Sequence, residues 1–209
     1  MLLYYITDRT QFSENEILRR TALLERISAV AKCGVDFIQL REKDLSGREL
    51  ELLAREVVRA IRPASGNTRL LINSRVDIAL AVGADGVHLR SADISAVEVR
   101  RIWRSASGER NPIIAVSCHN PDDVSRAAAS QADFVVFGPV FEKGSAPAIG
   151  LESLHSVSRC NIRTLALGGV NPDNAASCLK AGAAGVAGIH LFQEGNVAET
   201  VVKLRSLKK

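Results

Sequence analysis

Eight short apolar runs, each followed by a longer stretch with helical spacing, predict an α/β fold of the (β/α)8 TIM-barrel class for this 209-residue chain. Most of the runs are apolar almost throughout rather than alternating, the pattern of parallel strands covered on both faces. No polar linker or change of composition divides the sequence, so residues 1–209 are read as one barrel domain. An open doubly wound sheet is the competing arrangement. In its dinucleotide-binding form it would carry GxGxxG after the first strand, where TDRTQF stands instead.

The elements follow in order. LLYYI at 2–6 is the first strand, and aliphatic residues recurring every three or four positions predict a helix over 16–32. VDFIQL at 35–40 is the second strand. Ser46, with Glu49 three residues on, forms a capping box for a helix that runs to Ile61 and stops before Pro63. RLLIN at 69–73, a short alanine-rich helix at 77–82 and DGVHL at 85–89 come next. Ser95 opens another helix with Glu98 at its third position, ahead of the strand PIIAVS at 112–117. Asn120 with Pro121, and later Asn171 with Pro172, have the cap and first-turn chemistry of helix starts. DFVVFG at 133–138, a helix near 151–158, RTLALG at 163–168, AGVAGI at 184–189 and a helix near 196–207 complete the repeat.

Composition narrows the function. Hydrophobic residues make up 46% and charged residues 24%, as in a soluble globular protein, which excludes a disordered chain, a fibre and a coiled-coil rod. No run approaches about 18 consecutive apolar residues, so no membrane partner is expected. MLLYYITDR has neither a basic leader nor a small-residue cleavage site, so no secretory signal is expected. The 27 lysines and arginines exceed the 23 acids by a modest, dispersed +4, and aromatics are only 4% of residues. That leaves little for stacking on bases, so nucleic acid is not an expected partner. Phosphorylated small molecules are compatible with the charge. Cys33, Cys118, Cys160 and Cys178 show no CxxC spacing and read as reduced thiols of a cytoplasmic protein. A homodimer is the expected assembly only because it is the commonest one.

In a barrel of this class, chemistry sits at the C-terminal strand ends and in the loops beyond. Thr7, Asp8 and Arg9 follow strand one, and Gln39, Arg41 and Lys43 follow strand two. Asn73, Ser74 and Arg75 end strand three; His88, Arg90 and Asp93 come at strand four; Ser117 and His119 at strand five. Strand six opens the loop GPVFEKGSAPAIG, strand seven ends in Gly168-Gly169, and strand eight in His190.

Gln39, Arg41 and Lys43 share one face if the chain stays extended, giving an amide and two cations suited to an anionic ligand with a hydrogen-bonding ring. The alternative is an ion-pair network with Asp8, Glu42 and Asp44. Gly168-Gly169, ahead of a helix start and beside strand eight, has the form of a phosphate cup. For a metal, Asp93 and Glu142 are the acids beyond strands four and six, with Asn73 a neutral donor. This set is compatible with Mg²⁺ completed by water and substrate phosphates, and does not suggest zinc. His88, His119 and His190 lie on different strands, where core hydrogen bonding competes with a site role, and His155 falls in a helix.

The blocks YYITDR, FIQLREKDLSG, LLINSRVDIALAVGADGVHL, AVSCHNPDD, ADFVVFGPVF and LALGGVNPDNAASCLKAGAAGVAGI span nearly the whole chain. In this order they resemble the thiamine phosphate synthase (ThiE) and TenI family. The resemblance implies a transferase of thiamine biosynthesis that joins hydroxymethylpyrimidine diphosphate to hydroxyethylthiazole phosphate and expels diphosphate with the help of Mg²⁺. It places Gln39 on the pyrimidine, Arg41 and Lys43 on the diphosphate, Asn73 between those two groups and Asp93 on Mg²⁺. Ser117 falls near the reacting centre, and Gly169 on the thiazole phosphate through its backbone N–H.

Three positions depart from that pattern. Ser74 stands where the synthases carry a second aspartate. FEKGSAP replaces a Thr-x-Thr-Lys run, leaving Lys143 or Ser145 to take over part of its role. His190 replaces a serine beside the thiazole phosphate. The TenI branch, which tautomerises a thiazole carboxylate phosphate, is the alternative favoured by Ser74, but its acid–base histidine is Pro139 here. A barrel that binds thiazole phosphate without turning it over is the third reading.

Overall fold

The computed structural model describes residues 1–108, 111–142 and 147–207. Its strands are β1 Leu2–Ile6, β2 Phe37–Leu40, β3 Arg69–Asn73, β4 Gly86–Leu89, β5 Ile113–Cys118, β6 Phe134–Phe137, β7 Arg163–Ala166 and β8 Gly185–Gly188. They pair in chain order, all parallel, and β8 pairs back onto β1 through Leu2–Gly185 to Tyr5–Gly188, which closes the barrel. The fold is a (β/α)8 barrel, as the repeat of apolar runs predicts. The helices are α1 Glu16–Lys32, α2 Gly47–Ala64, α3 Val76–Val82, α4 Ala96–Ser107, α5 Pro121–Ala129, α6 Gly150–Val157, α7 Ala175–Lys180, α8 His190–Gln193 and α9 Val197–Ser206. No described helix is long and apolar enough to cross a membrane.

Strand alternation divides the apolar residues into two cores. Tyr4, Phe37, Leu71, Ala115, Phe134 and Leu165 fill the interior. Their strand neighbours Leu3, Ile38, Leu70, Ile114 and Val135 face the helices. Inside, the rings of Tyr4, Phe37 and Phe134 pack with centroids 4.9 to 5.8 Å apart, making a solid floor below the mouth.

A recurring aspartate pins the strands in pairs. Asp36, Asp85 and Asp133 each stand just before an even-numbered strand. Each carboxylate accepts the backbone N–H of Leu3, Leu70 or Ile114 on the preceding strand, at 2.7, 2.9 and 2.7 Å. At the fourth equivalent place, before β8, Ala184 has no carboxylate to offer, and its backbone N–H reaches Thr164 O at 2.8 Å.

Asn15, Ser46, Ser95, Asn120 and Asn196 accept backbone N–H bonds at the starts of α1, α2, α4, α5 and α9, and Ser46–Glu49 forms the full capping box. Three local expectations need correction. α2 passes through Pro63 to Ala64, because the proline falls in the last turn and Ser65 N–H still reaches Ile61 O at 3.0 Å. α7 begins at Ala175 rather than Pro172, because Asn171 Oδ1 accepts the N–H groups of Asp173 and Asn174 in a separate turn. Strand eight ends at Gly188, and His190 starts α8, a single turn too short to leave a periodic signal.

Candidate active site

The mouth at the C-terminal strand ends encloses a cavity of about 1080 Å³. Its polar groups arrive by the parity that builds the interior: Gln39 lies two residues beyond Phe37, Asn73 two beyond Leu71, and Ser117 two beyond Ala115. Gln39 is buried, and its Nε2 donates to Asn73 Oδ1 at 2.8 Å. Its Oε1 is buried without a hydrogen-bond donor among the described residues. An acceptor left so is costly unless a ligand supplies the proton.

Below Ser117 runs a buried polar column. Tyr4 Oη lies 2.9 Å from His88 Nδ1, and His88 Nε2 lies 2.7 Å from Ser117 Oγ. Burial, reinforced by the charge of Arg41 and opposed by Asp93, pushes His88 down to about 3, so the ring is neutral. Burial raises the Tyr4 phenol, so this neighbour is uncharged too. His88 therefore orients the serine hydroxyl from below the mouth. Its position in the sequence alone does not distinguish that role from a ligand role.

Arg41 and Lys43 both line the cavity. The acids beside them are taken by Arg9, which is buried and reaches Glu42 at 3.2 Å, Asp44 at 2.7 Å and Glu16 at 2.9 Å. Glu42 also accepts from Thr7 Oγ1 at 2.5 Å and from Arg9 N–H at 3.0 Å. Burial nevertheless leaves the Glu42 carboxyl above its ordinary value, whereas Arg9 holds Asp44 below its own. The alternative expectation, an ion-pair network of Arg41 and Lys43 with Asp8, Glu42 and Asp44, is not met: Arg9 takes Glu42 and Asp44, and Asp8 accepts from Thr10 and Gln11. Among the described residues Arg41 and Lys43 have no ion pair.

Across the mouth, Gly168 and Gly169 adopt φ of +92° and +62°. A Cβ on Gly168 would meet Pro139 at 2.5 Å, and one on Gly169 would meet Phe141 Cβ at 2.7 Å, so the close turn requires glycine at both. Asn174 Nδ2 holds Gly169 O at 2.9 Å, while the Gly169 N–H has no acceptor among the described residues. His190 lines the same cavity half-exposed, 4.0 Å from Glu194. Lys143 and Ser145 lie outside the described residues.

His119 also lines the mouth, and its Nδ1 lies 2.7 Å from Gly138 O. A carbonyl only accepts, so Nδ1 carries a proton, and in that tautomer Nε2 is the acceptor.

Asp93 stands beyond β4 as expected, but its carboxylate is engaged. Oδ1 accepts from Arg90 Nε at 3.1 Å and Nη2 at 2.9 Å; Oδ2 accepts from Arg90 N–H at 2.8 Å and Ser74 Oγ at 2.6 Å. Asn73 Oδ1, the neutral donor, already binds Gln39. No cluster of three metal-binding side chains occurs among the described residues. Mg²⁺ demands near-ideal octahedral oxygen geometry. With Asp93 and Asn73 both occupied, the residues present do not fit a Mg²⁺ seat in this arrangement.

The TMP-TENI family profile, described as thiamine monophosphate synthase, matches residues 3–192. The chain belongs to the thiamine monophosphate synthase family. A protein of Aquifex aeolicus (strain VF5), provisionally named thiamine-phosphate synthase 2, is 42% identical over 196 residues, covering 92% of this chain and 97% of the relative. The thiamine-phosphate synthase of Roseiflexus sp. (strain RS-1) is 39% identical over 191 residues, 89% of this chain and 75% of the relative. Among solved structures, the thiamine phosphate pyrophosphorylase of Pyrococcus furiosus superposes with a TM-score of 0.81 at 30% identity, covering 99% of this chain and 94% of that one. Within the thiamine monophosphate synthase family frame, two features were not legible in the sequence. One is Arg90 closing over Asp93, and the other is the left-handed backbone of Ser74, at φ +57°. No local motif signals either.

Proposed function

We propose that the chain, acting as a single barrel domain, is a thiamine-phosphate-synthase-type transferase. It couples hydroxymethylpyrimidine diphosphate to hydroxyethylthiazole phosphate and releases diphosphate. The observation that carries this reading is a juxtaposition: two cations without ion pairs and a buried amide oxygen lacking a donor, both among the described residues, share one cavity with a double-glycine turn. Such a mouth suits two phosphorylated small molecules, one with a hydrogen-bonding ring.

The chemistry breaks the bond between the pyrimidine methylene carbon and the diphosphate oxygen, which leaves with the electron pair. The thiazole nitrogen then gives its lone pair to the cationic methylene carbon. Gln39 Oε1 accepts a proton donor of the pyrimidine ring, and Asn73 holds the Gln39 amide in place. Arg41 and Lys43 stabilise the charge that gathers on the departing diphosphate. Ser117, its hydroxyl directed by His88, hydrogen-bonds near the reacting centre. The Gly169 N–H receives the thiazole phosphate, with His190 on the same cavity wall. Asp93, which the family resemblance would place on Mg²⁺, is engaged by Arg90 and Ser74 instead. The test is incubation with both substrates, with and without Mg²⁺. Thiamine phosphate above a protein-free control is the expected product, and its absence when both ligands bind overturns the reading.

One observation favours a second reading. The tautomerase branch needs an acid–base group at the mouth, and Pro139 occupies the place of its histidine. His119, anchored on the carbonyl next to Pro139, offers Nε2 as a base from the neighbouring strand end. Conversion of a thiazole carboxylate phosphate tautomer, abolished in His119→Gln, would select this reading. Binding of thiazole phosphate without either reaction would select the non-catalytic one.

A further inference from the structure

We propose that Arg90 grips the diphosphate directly, in the place where a carboxylate-held divalent cation would otherwise meet it, and that Asp93 and Ser74 position Arg90 for this. The inference rests on the reading of the mouth as a diphosphate site.

Burial separates the partners. The Asp93 side chain is 11% exposed and the Arg90 side chain 70% exposed, with Arg90 and Ser74 on the cavity wall. The carboxylate therefore stands behind the guanidinium. Two of the five guanidinium N–H groups, one on Nε and one on Nη2, are spent on Asp93 Oδ1. Three remain for a ligand, in the planar fork that suits phosphate oxygens.

Ser74 supplies the other half of the arrangement. Its N–H reaches His88 O at 2.9 Å, and Arg75 N–H reaches Asn73 O at 2.7 Å, fixing a tight turn with Ser74 in left-handed backbone. A non-glycine residue persists there only when its surroundings enforce it. The turn aims Oγ at Asp93 Oδ2, where a hydroxyl donates a proton and a carboxylate would be repelled. The hydroxyl and the guanidinium together satisfy Asp93. Its charge is then available to fix Arg90 and not to recruit a metal. Arg41, Lys43 and Arg90 face one cavity, so the anion meets cations carried by the protein itself.

The test is titration calorimetry of the full chain with inorganic pyrophosphate, in EDTA and in Mg²⁺. Pyrophosphate should bind in EDTA, with Mg²⁺ changing the Kd by less than about threefold. Arg90→Gln should weaken that binding by at least about tenfold, roughly 1.4 kcal/mol. Arg90→Lys should recover part of the loss, because it keeps the charge without the fork. The double variant Arg90→Gln/Asp93→Asn removes the carboxylate that the first substitution bares, and binding should stay weak. If the double variant binds as well as the natural chain, the loss was repulsion by Asp93 and the inference falls. It falls too if Arg90→Gln alone binds normally, or if the natural chain binds pyrophosphate only with Mg²⁺; in both cases the diphosphate site stands. Failure of the natural chain to bind pyrophosphate under either condition removes the diphosphate reading and this inference with it.

Discussion

His88 Nε2 lies 2.7 Å from Ser117 Oγ, two side chains 29 residues apart that meet because β4 and β5 pair with His88 opposite Ala115. Tyr4, 2.9 Å from the other ring nitrogen, completes a buried chain from the aromatic floor to the mouth. Such a chain fixes a hydroxyl without adding charge.

Ser117→Ala should therefore act twice. It leaves His88 Nε2 buried without a partner, at about 1–3 kcal/mol of stability. It also removes a group near the reacting centre, lowering coupling by about 10²-fold. Melting curves and kcat measured together check both effects, and unchanged coupling would remove Ser117 from the chemistry.

The neutral His88 gives stability a pH dependence of known sign. Its value is about 3 in the fold against an ordinary 6.5, so between these limits the unfolded chain binds more protons. The contribution is complete above pH 6.5 and is lost as pH falls toward 3. His88→Gln lacks that contribution. Melting temperatures from about pH 7.5 to 4 should fall more steeply for the natural chain than for the variant. Parallel curves would contradict a buried neutral imidazole.

The arginines of the first two loops should separate by role. Arg9→Met strands the buried Glu42 and should cost about 3–5 kcal/mol. Arg41→Met and Lys43→Met break no ion pair among the described residues and should leave the melting temperature nearly unchanged. Coupling should nevertheless fall by about 10²-fold in each. Denaturant unfolding paired with steady-state kinetics reads the contrast.

Gly169→Ala puts a Cβ 2.7 Å from Phe141 Cβ in backbone that side chains rarely adopt, so the turn must open. Affinity for thiazole phosphate should drop by at least about tenfold, with a lower melting temperature. Calorimetry below the transition isolates the binding term; unchanged affinity would move the phosphate elsewhere.

Ser74→Asp asks what serine does at the β3 end. Aspartate tolerates the left-handed region, so the backbone permits it. Two adjacent carboxylates then compete for Arg90, and the variant should bind Mg²⁺ more tightly than the natural chain. Calorimetry with MgCl₂ alone reads this directly, and equal affinities would show that Arg90 still covers the site.

The sequence by itself determined the barrel, because continuous apolar strands and periodic helices are local patterns that few folds can bury together. It also put Gln39, Asn73 and Ser117 at the C-terminal strand ends, whereas their two-residue parity with the interior residues Phe37, Leu71 and Ala115 became readable only once the structure showed which face is inside. Only the tertiary structure decided which charges meet. Arg41 and Lys43 adjoin Glu42 and Asp44 along the chain while Arg9 stands 33 and 35 residues away, yet among the described residues it is Arg9 that pairs with them. Asp93 looked open for a metal until the turn at Ser74 and the fold of the β4 loop filled its acceptors. The physical reason is the reach of each kind of interaction. Strand and helix formation depends on neighbours a few residues away, whereas a hydrogen bond such as Tyr4–His88, 84 residues apart, exists only after the barrel closes.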